Sequence, residues 1–176
     1  MVDLLGFFEI ANKLKWTERN GWIAKIKVKE HESVAGHSYL TALICMVIAE
    51  QKGLNTNKVL KMALLHDLAE SITGDYMPSE LTKKTKNDKE VKAMKNILGK
   101  LPPNIRISYS RLWKDYKDMS SKEAKLVHQI DRLEMALQAN DYLKKGYSHQ
   151  LLEQFFLSAR AGIRDKELLK ILNSLK

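Results

Sequence analysis

The stretch His66-Asp67-Leu68-Ala69-Glu70-Ser71-Ile72-Thr73-Gly74-Asp75 concentrates ionisable groups where the chain is otherwise apolar. It follows Met62-Ala63-Leu64-Leu65, so an imidazole and a carboxylate arrive at the end of an apolar helix rather than on a wetted surface. A carboxylate placed there is costly unless it is paired, hydrogen-bonded or bound to a cation. Metal coordination would satisfy both side chains. Glu70 follows His66 by four residues, so on a helix the two share a face and Glu70 reaches the same cavity without being a ligand. Past Ile72 the run Thr73-Gly74-Asp75-Tyr76-Met77-Pro78 holds a glycine and a proline, and regular helix stops beside these charges.

Two further residues show the same anomaly. Asp131 lies among Val127, Ile130, Leu133 and Met135. His37 opens a helix expected to pack on the one bearing His66, and the preceding Glu32-Ser33-Val34-Ala35-Gly36 can aim it. His37, His66, Asp67 and Asp131 together offer two nitrogen and two oxygen donors. Such a set suits a divalent transition metal and leaves positions for water and a substrate oxygen. Of the other histidines, His31 and His149 fall in polar connections and read as surface, and His128 reads as packing.

Around these residues the periodicity is helical. Leu4, Leu5, Phe7, Phe8, Ala11 and Leu14 predict a helix over 3–15. Segment 16–35 contains Gly21, and Ile26 and Val28 alternate with lysines, which favours an ordered, extended loop. Two helices apolar on nearly every side, over 36–52 and 59–72, are expected to be central and antiparallel, with Gly53 as the stop and Asn57 as the cap. Further helices are expected over 88–100, 108–116, 120–145, 148–161 and 165–175, broken at Pro102-Pro103 and Gly146. The fold class is all-α, a bundle of about six to eight helices, and residues 1–176 read as a single domain.

Composition excludes several functions. Apolar residues are 44% and charged ones 29% of the 176 residues, a globular mixture. The longest apolar run, residues 40–49, is about half the length that crosses a bilayer. The start, MVDLLGFFEI, lacks a basic region ahead of its apolar residues, so no export signal is read and a cytoplasmic location is expected. The formal charge is +9, and Lys83, Lys84, Lys86, Lys89, Lys92, Lys95 and Lys100 cluster without an interleaved aromatic residue. That pattern reads as a solvated helix face, not a nucleic-acid surface. Cys45, the one cysteine, reads as a buried thiol.

The order of a histidine, a later His-Asp pair and a distant aspartate, all on helices, resembles the HD-domain superfamily. Arg19-Asn20-Gly21-Trp22, Glu32-Ser33-Val34-Ala35-Gly36-His37, the His66-to-Asp75 block and Gln129-Ile130-Asp131 are similar to its small 5'-deoxynucleotidase group. The resemblance implies an enzyme that removes phosphate from deoxyribonucleoside 5'-monophosphates, using water activated at one divalent ion (Mn, Co, Ni, Zn, Fe or Mg). It implies His37, His66, Asp67 and Asp131 as metal ligands and Glu70, with Asp67, as the catalytic carboxylates. It also implies Arg19, Trp22, Asp75 and Pro78 as substrate contacts, and a homodimer. A guanidinium at Arg19 suits a phosphate because its paired donors match two oxygens and its charge is permanent.

In bacterial members of the group the arginine is followed directly by the tryptophan. Here Asn20 and Gly21 intervene, as in the archaeal and eukaryotic branch, which leaves discrimination against ribose open. Two alternatives remain: hydrolysis of another nucleotide (triphosphate, cyclic nucleotide or alarmone), or a non-catalytic nucleotide-binding regulator. Alarmone hydrolases carry an aspartate where this chain has Ser71. A dinuclear site needs histidines between the His-Asp pair and Asp131, and only His128 lies there.

Overall fold

The computed structural model describes residues 1–77 and 80–175. In order, the helices are α1 (Leu4–Asn12, running into a 3-10 turn), α2 (Asn20–Ile26), α3 (Val34–Gln51), α4 (Thr56–Leu65), α5 (Glu70–Thr73), α6 (Lys83–Gly99), α7 (Pro103–Asp118), α8 (Lys122–Lys144), α9 (His149–Gly162) and α10 (Lys166–Asn173). No β-strand occurs among the described residues beyond a bridge pairing Glu18 with Ser33. The chain is all-α, as expected.

Short polar side chains set where these helices begin. Ser33 accepts from the Gly36 N–H at 3.2 Å, Thr82 from Thr85 at 3.1 Å and Ser121 from Ala124 at 3.1 Å, each meeting one donor that a first turn leaves unpaired. The α4 cap is Asn55, accepting from Lys58 at 3.0 Å, and not Asn57, which lies inside the helix. Gly53 takes a φ of 61° after α3, and the Leu54 N–H returns to the Ala49 carbonyl at 2.9 Å, so the chain turns back into an antiparallel α4. Pro103 occupies the first turn of α7, where a missing N–H costs nothing, and the helix starts there rather than at 108.

Ten α-helical segments stand among the described residues where six to eight helices were expected, for two reasons. Segment 16–35 is not all loop. Trp22 and Ile26, four residues apart on α2, bury one face against Tyr142, Leu152 and Phe155, and this tertiary contact outweighs the alternation with lysines. The expected helix over 59–72 is also interrupted: α4 ends at Leu65, four residues form turns, and α5 is a single turn.

Helix α3 packs on both α4 and α8. Cys45, Ile48, Val59, Met62, Val127 and Ile130 form the interior of that layer. A second cluster, with Leu65, Leu68, Met94, Ile97 and Trp113, lies under α6 and α7, and the α2–α9 cluster is a third. Residues from α3, α8 and the α4–α5 turn carry the charged groups described next.

Candidate metal centre

Four residues after its cap, His37 lies in the first turns of α3 and is wholly buried. Its Nδ1 is hydrogen-bonded to Oε2 of Glu134, a residue of α8 with 0% exposure. A carboxylate only accepts, so Nδ1 is the donor and Nε2 is left to face the site. His66 reaches the same state differently. Its Nδ1–H donates to the Ala63 carbonyl at 2.6 Å, the acceptor that a continuing α-helix would offer to Asp67. That diversion accompanies the end of α4, and the following residues turn by shorter bonds: Leu68 N–H to Leu65, Glu70 N–H to Asp67 and Ser71 N–H to Leu68.

Tightening the backbone changes which neighbours meet. In turns of three residues, positions i and i+3 eclipse. The Glu70 N–H donates to the Asp67 carbonyl at 2.9 Å, and the Asp67 charge acts on the Glu70 carboxyl.

Of the four candidate ligand residues, His37, His66 and Asp67 bring donor atoms within 4.8 Å of one another, and Asp131 meets that group at His37. His37 Nε2 and His66 Nε2 are 3.4 Å apart; Asp67 Oδ2 is 3.1 Å from His66 Nε2 and 3.6 Å from His37 Nε2, and Asp131 Oδ1 is 3.2 Å from His37 Nε2. Donors ~2.1 Å from one centre and 90–110° apart are separated by about 3.0–3.4 Å. Two ring nitrogens with their other nitrogens already donating, and the Asp67 oxygen, form a cluster that a cation would satisfy, with the Asp131 oxygen beside His37. The donor set therefore fits a divalent metal. A second group, Glu32, His37 and Glu134, also has donors close enough for an ion, but it shares His37, whose Nδ1 is bonded to Glu134.

The electrostatics follow from acids outnumbering bases. Burial and Arg19 would lower the His37 pKa, yet hydrogen bonds with Asp131 and Glu134 push it up to about 10. His66 is raised too: burial opposes the shift and Asp67 drives it. Burial would raise Asp67 and Asp131, but the histidines beside them hold both carboxyls below the usual range.

Glu70 is buried, and its Oε2 has no hydrogen-bond partner. Burial first, then the neighbouring Asp67 and Asp75, raise its pKa well above the ordinary glutamate value. Arg19 immediately precedes α2 with its guanidinium among acids: Nη1 is 3.8 Å from Asp67 Oδ2 and Nε is 3.5 Å from Glu32 Oε1. Burial works against its charge, and Glu32, Asp67, Asp131 and Asp75 more than restore it. Asp75 is tied to the residue after Arg19, since the Asn20 N–H donates to Asp75 Oδ2 at 2.9 Å and the Asn20 amide to the Asp75 carbonyl at 2.5 Å. Burial raises the Asp75 pKa while Arg19 opposes it.

Arg19, Gly21, Trp22, Asp75 and Phe155 line a cavity of about 210 Å³. Trp22 contributes little surface to it, being 2% exposed, packed on Phe155 at 4.2 Å between ring centres and donating from Nε1 to Glu32 Oε1 at 2.8 Å. Pro78 lies outside the described residues. His128 stacks on Tyr116 and donates from Nε2 to the Tyr116 carbonyl at 2.8 Å, the packing role expected of it. The sequence reading missed Glu134 and left Glu32 without a role. A glutamate between Leu133 and Ala136, one turn after Asp131, is the signal that marked the first.

A family model described as an HD domain matches residues 11–174. The 5'-deoxynucleotidase HDDC2 of Danio rerio is 36% identical over 176 residues, covering 99% of this chain and 87% of that protein. The protein of the same name from Homo sapiens is 36% identical over 175 residues, covering 99% and 85%. Among solved structures, the PH0347 protein from Pyrococcus horikoshii superposes with a TM-score of 0.82 at 32% identity, covering 97% of each chain. With His37 on α3, His66-Asp67 in the turn after α4 and Asp131 on α8, in that order, this chain belongs to the HD-domain family.

Proposed function

We propose that this chain is a metal-dependent phosphoric monoester hydrolase that removes phosphate from deoxyribonucleoside 5'-monophosphates. The observation that carries the reading is the buried Glu70, its Oε2 without a hydrogen-bond partner, near the converging donors of His37, His66 and Asp67 with Asp131 beside His37. The names of its relatives support the substrate class. A divalent ion held by His37, His66, Asp67 and Asp131 (Mn, Co, Ni, Zn, Fe or Mg) supplies polarisation of a phosphoryl oxygen and a more acidic water when bound.

The rest of the work falls to the chain. Arg19 offers paired donors to phosphate oxygens, and its anchoring by Glu32 and Asp67 fixes its direction before substrate arrives. Glu70 takes a proton from the attacking water as its oxygen bonds to phosphorus, and the departing O5' gains a proton, from Asp75 or solvent, as the P–O5' bond breaks. Asp67 keeps that carboxyl ready to hold the proton. Asp75 faces the leaving sugar oxygen from the cavity of Arg19.

The family match over residues 11–174 supports one domain. A homodimer goes with this reading, supported by the exposed row Tyr39, Leu43 and Val47 along α3. So does a cytoplasmic setting; no helix of the described residues is long and apolar enough to cross a membrane. The test is phosphate release from a panel of deoxyribo- and ribonucleoside monophosphates with each ion added in turn. Cleavage of a triphosphate or cyclic dinucleotide, with no monophosphate cleaved under any ion, overturns the proposal.

A further inference from the structure

A second cavity, of about 510 Å³, also reaches His66, Asp67 and Asp131, and among the described residues it shares no lining residue with the cavity of Arg19 and Asp75. Its outer wall comes from α6 and α7 and carries Lys83, Lys86 and Lys117 against a single acid, Glu90. Lys86 Nζ lies 3.7 Å from one Glu90 oxygen, and Lys117 pairs with the other. One glutamate among three lysines holds two of them in place and still leaves the wall positive.

Lys86 also joins the two compartments. Its Nζ donates to the Tyr76 carbonyl at 3.4 Å, one residue after Asp75, and its charge acts on both Glu70 and Asp75. An ammonium held by one ion pair at 3.7 Å and one hydrogen bond at 3.4 Å, with three donors to give, can receive an oxyanion.

The cavity does not suit a nucleobase. Tyr116, its aromatic ring, is stacked on His128 with centres 4.0 Å apart and meets His66 edge-on. The apolar and aromatic surface of Met135 and Phe155 belongs to the other cavity. Chemistry thus separates the compartments: one largely apolar, with Arg19, Lys25 and Asp75, the other roomier, with a lysine-rich outer wall facing the acids of the metal donors.

Resting on the phosphohydrolase reading for its role in turnover, we propose that the lysine-lined cavity is a phosphate-binding pocket. Its ligand is either inorganic phosphate leaving the centre or the phosphoryl group of the substrate. The test is calorimetric titration of inorganic phosphate into the manganese-loaded protein, wild type against the Lys86→Gln/Lys117→Gln double variant. A second double variant, Lys83→Gln/Lys86→Gln, guards against a local packing defect, and circular dichroism checks both for folding.

Loss of these charge-assisted contacts is expected to weaken phosphate binding roughly tenfold. In steady-state assays, a KM for monophosphate that rises in step with the phosphate Kd identifies the substrate's phosphoryl group. A rise in the phosphate inhibition constant well beyond any change in KM identifies the free product. Unchanged phosphate binding in both folded, metal-loaded variants overturns the pocket. Lysine-dependent phosphate binding in a wild type that hydrolyses no monophosphate keeps the pocket and overturns the proposed activity, so the two failures are distinct.

Discussion

At Glu70 and Asp131 two carboxylates in one site are asked to do different work, and substitution separates them. Glu70→Ala is expected to keep the metal while turnover falls ~10²–10⁴-fold, the usual share of a positioned proton carrier. Asp131→Ala is expected to lose the metal. Metal analysis and phosphate release on both purified variants decide it; an active Glu70 variant, or an Asp131 variant with full metal, ends this division of labour. Glu134 touches no donor oxygen of the centre, yet it fixes which nitrogen of His37 faces inward. Glu134→Gln is therefore expected to weaken metal binding by about 10- to 100-fold, as loss of a carboxylate behind a ligating histidine does. Titration with a chelator of known affinity measures it. The raised His37 pKa, about 10, gives a third outcome. At neutral pH the metal-free ring holds a proton that coordination must displace. Loading is then expected to release about one proton, and affinity to climb with pH until it levels above that pKa. Calorimetry in buffers of different ionisation enthalpy counts the proton, and a buffer-independent heat refutes the expectation.

Among the elements, the long ones were legible and the short ones were not. Helices α3 and α8 carry apolar residues through five turns or more, and periodicity finds them without help. Helix α2 is seven residues long and owes its existence to Trp22 and Ile26 meeting α8 and α9, a contact no local window contains. The break after Leu65 was hidden for another reason. His66, read as a ligand, also takes the Ala63 carbonyl with its second nitrogen, so the demands of the site interrupt the helix. The candidate ligands and Glu70 were readable because acids among leucines and isoleucines are anomalous. The geometry between Glu70 and Asp67 was not, because it depends on that interruption. Gly74 belongs to this scale as well. Its φ of 76° and ψ of 167° turn the chain from α5 towards Asn20, in a region that side chains resist. Gly74→Ala is expected to cost ~1–3 kcal/mol and loosen the Asp75 tether. A thermal melt that does not move would show the turn to be relaxed.

For the molecule as a whole, the centre draws on three stretches that the sequence keeps apart: α3, the turn after α4, and α8. A cation between them closes loops, among them the 29-residue separation of His37 and His66, at no cost in new side chains. The net charge of +9 is not spread evenly, since α6 and α7 bring lysines to a cavity that opens on acids. Cys45 lies deep in the layer between α3 and α8, eight residues past His37, with burial and then Asp131 raising its pKa. As the chain's one thiol it is a clock set inside the structure. An alkylating reagent reaches it only when α3 parts from its neighbours, so the labelling rate reports how often the bundle opens. Metal that bridges α3 to α8 is expected to slow that clock at least ~10-fold, and chelation to restore it.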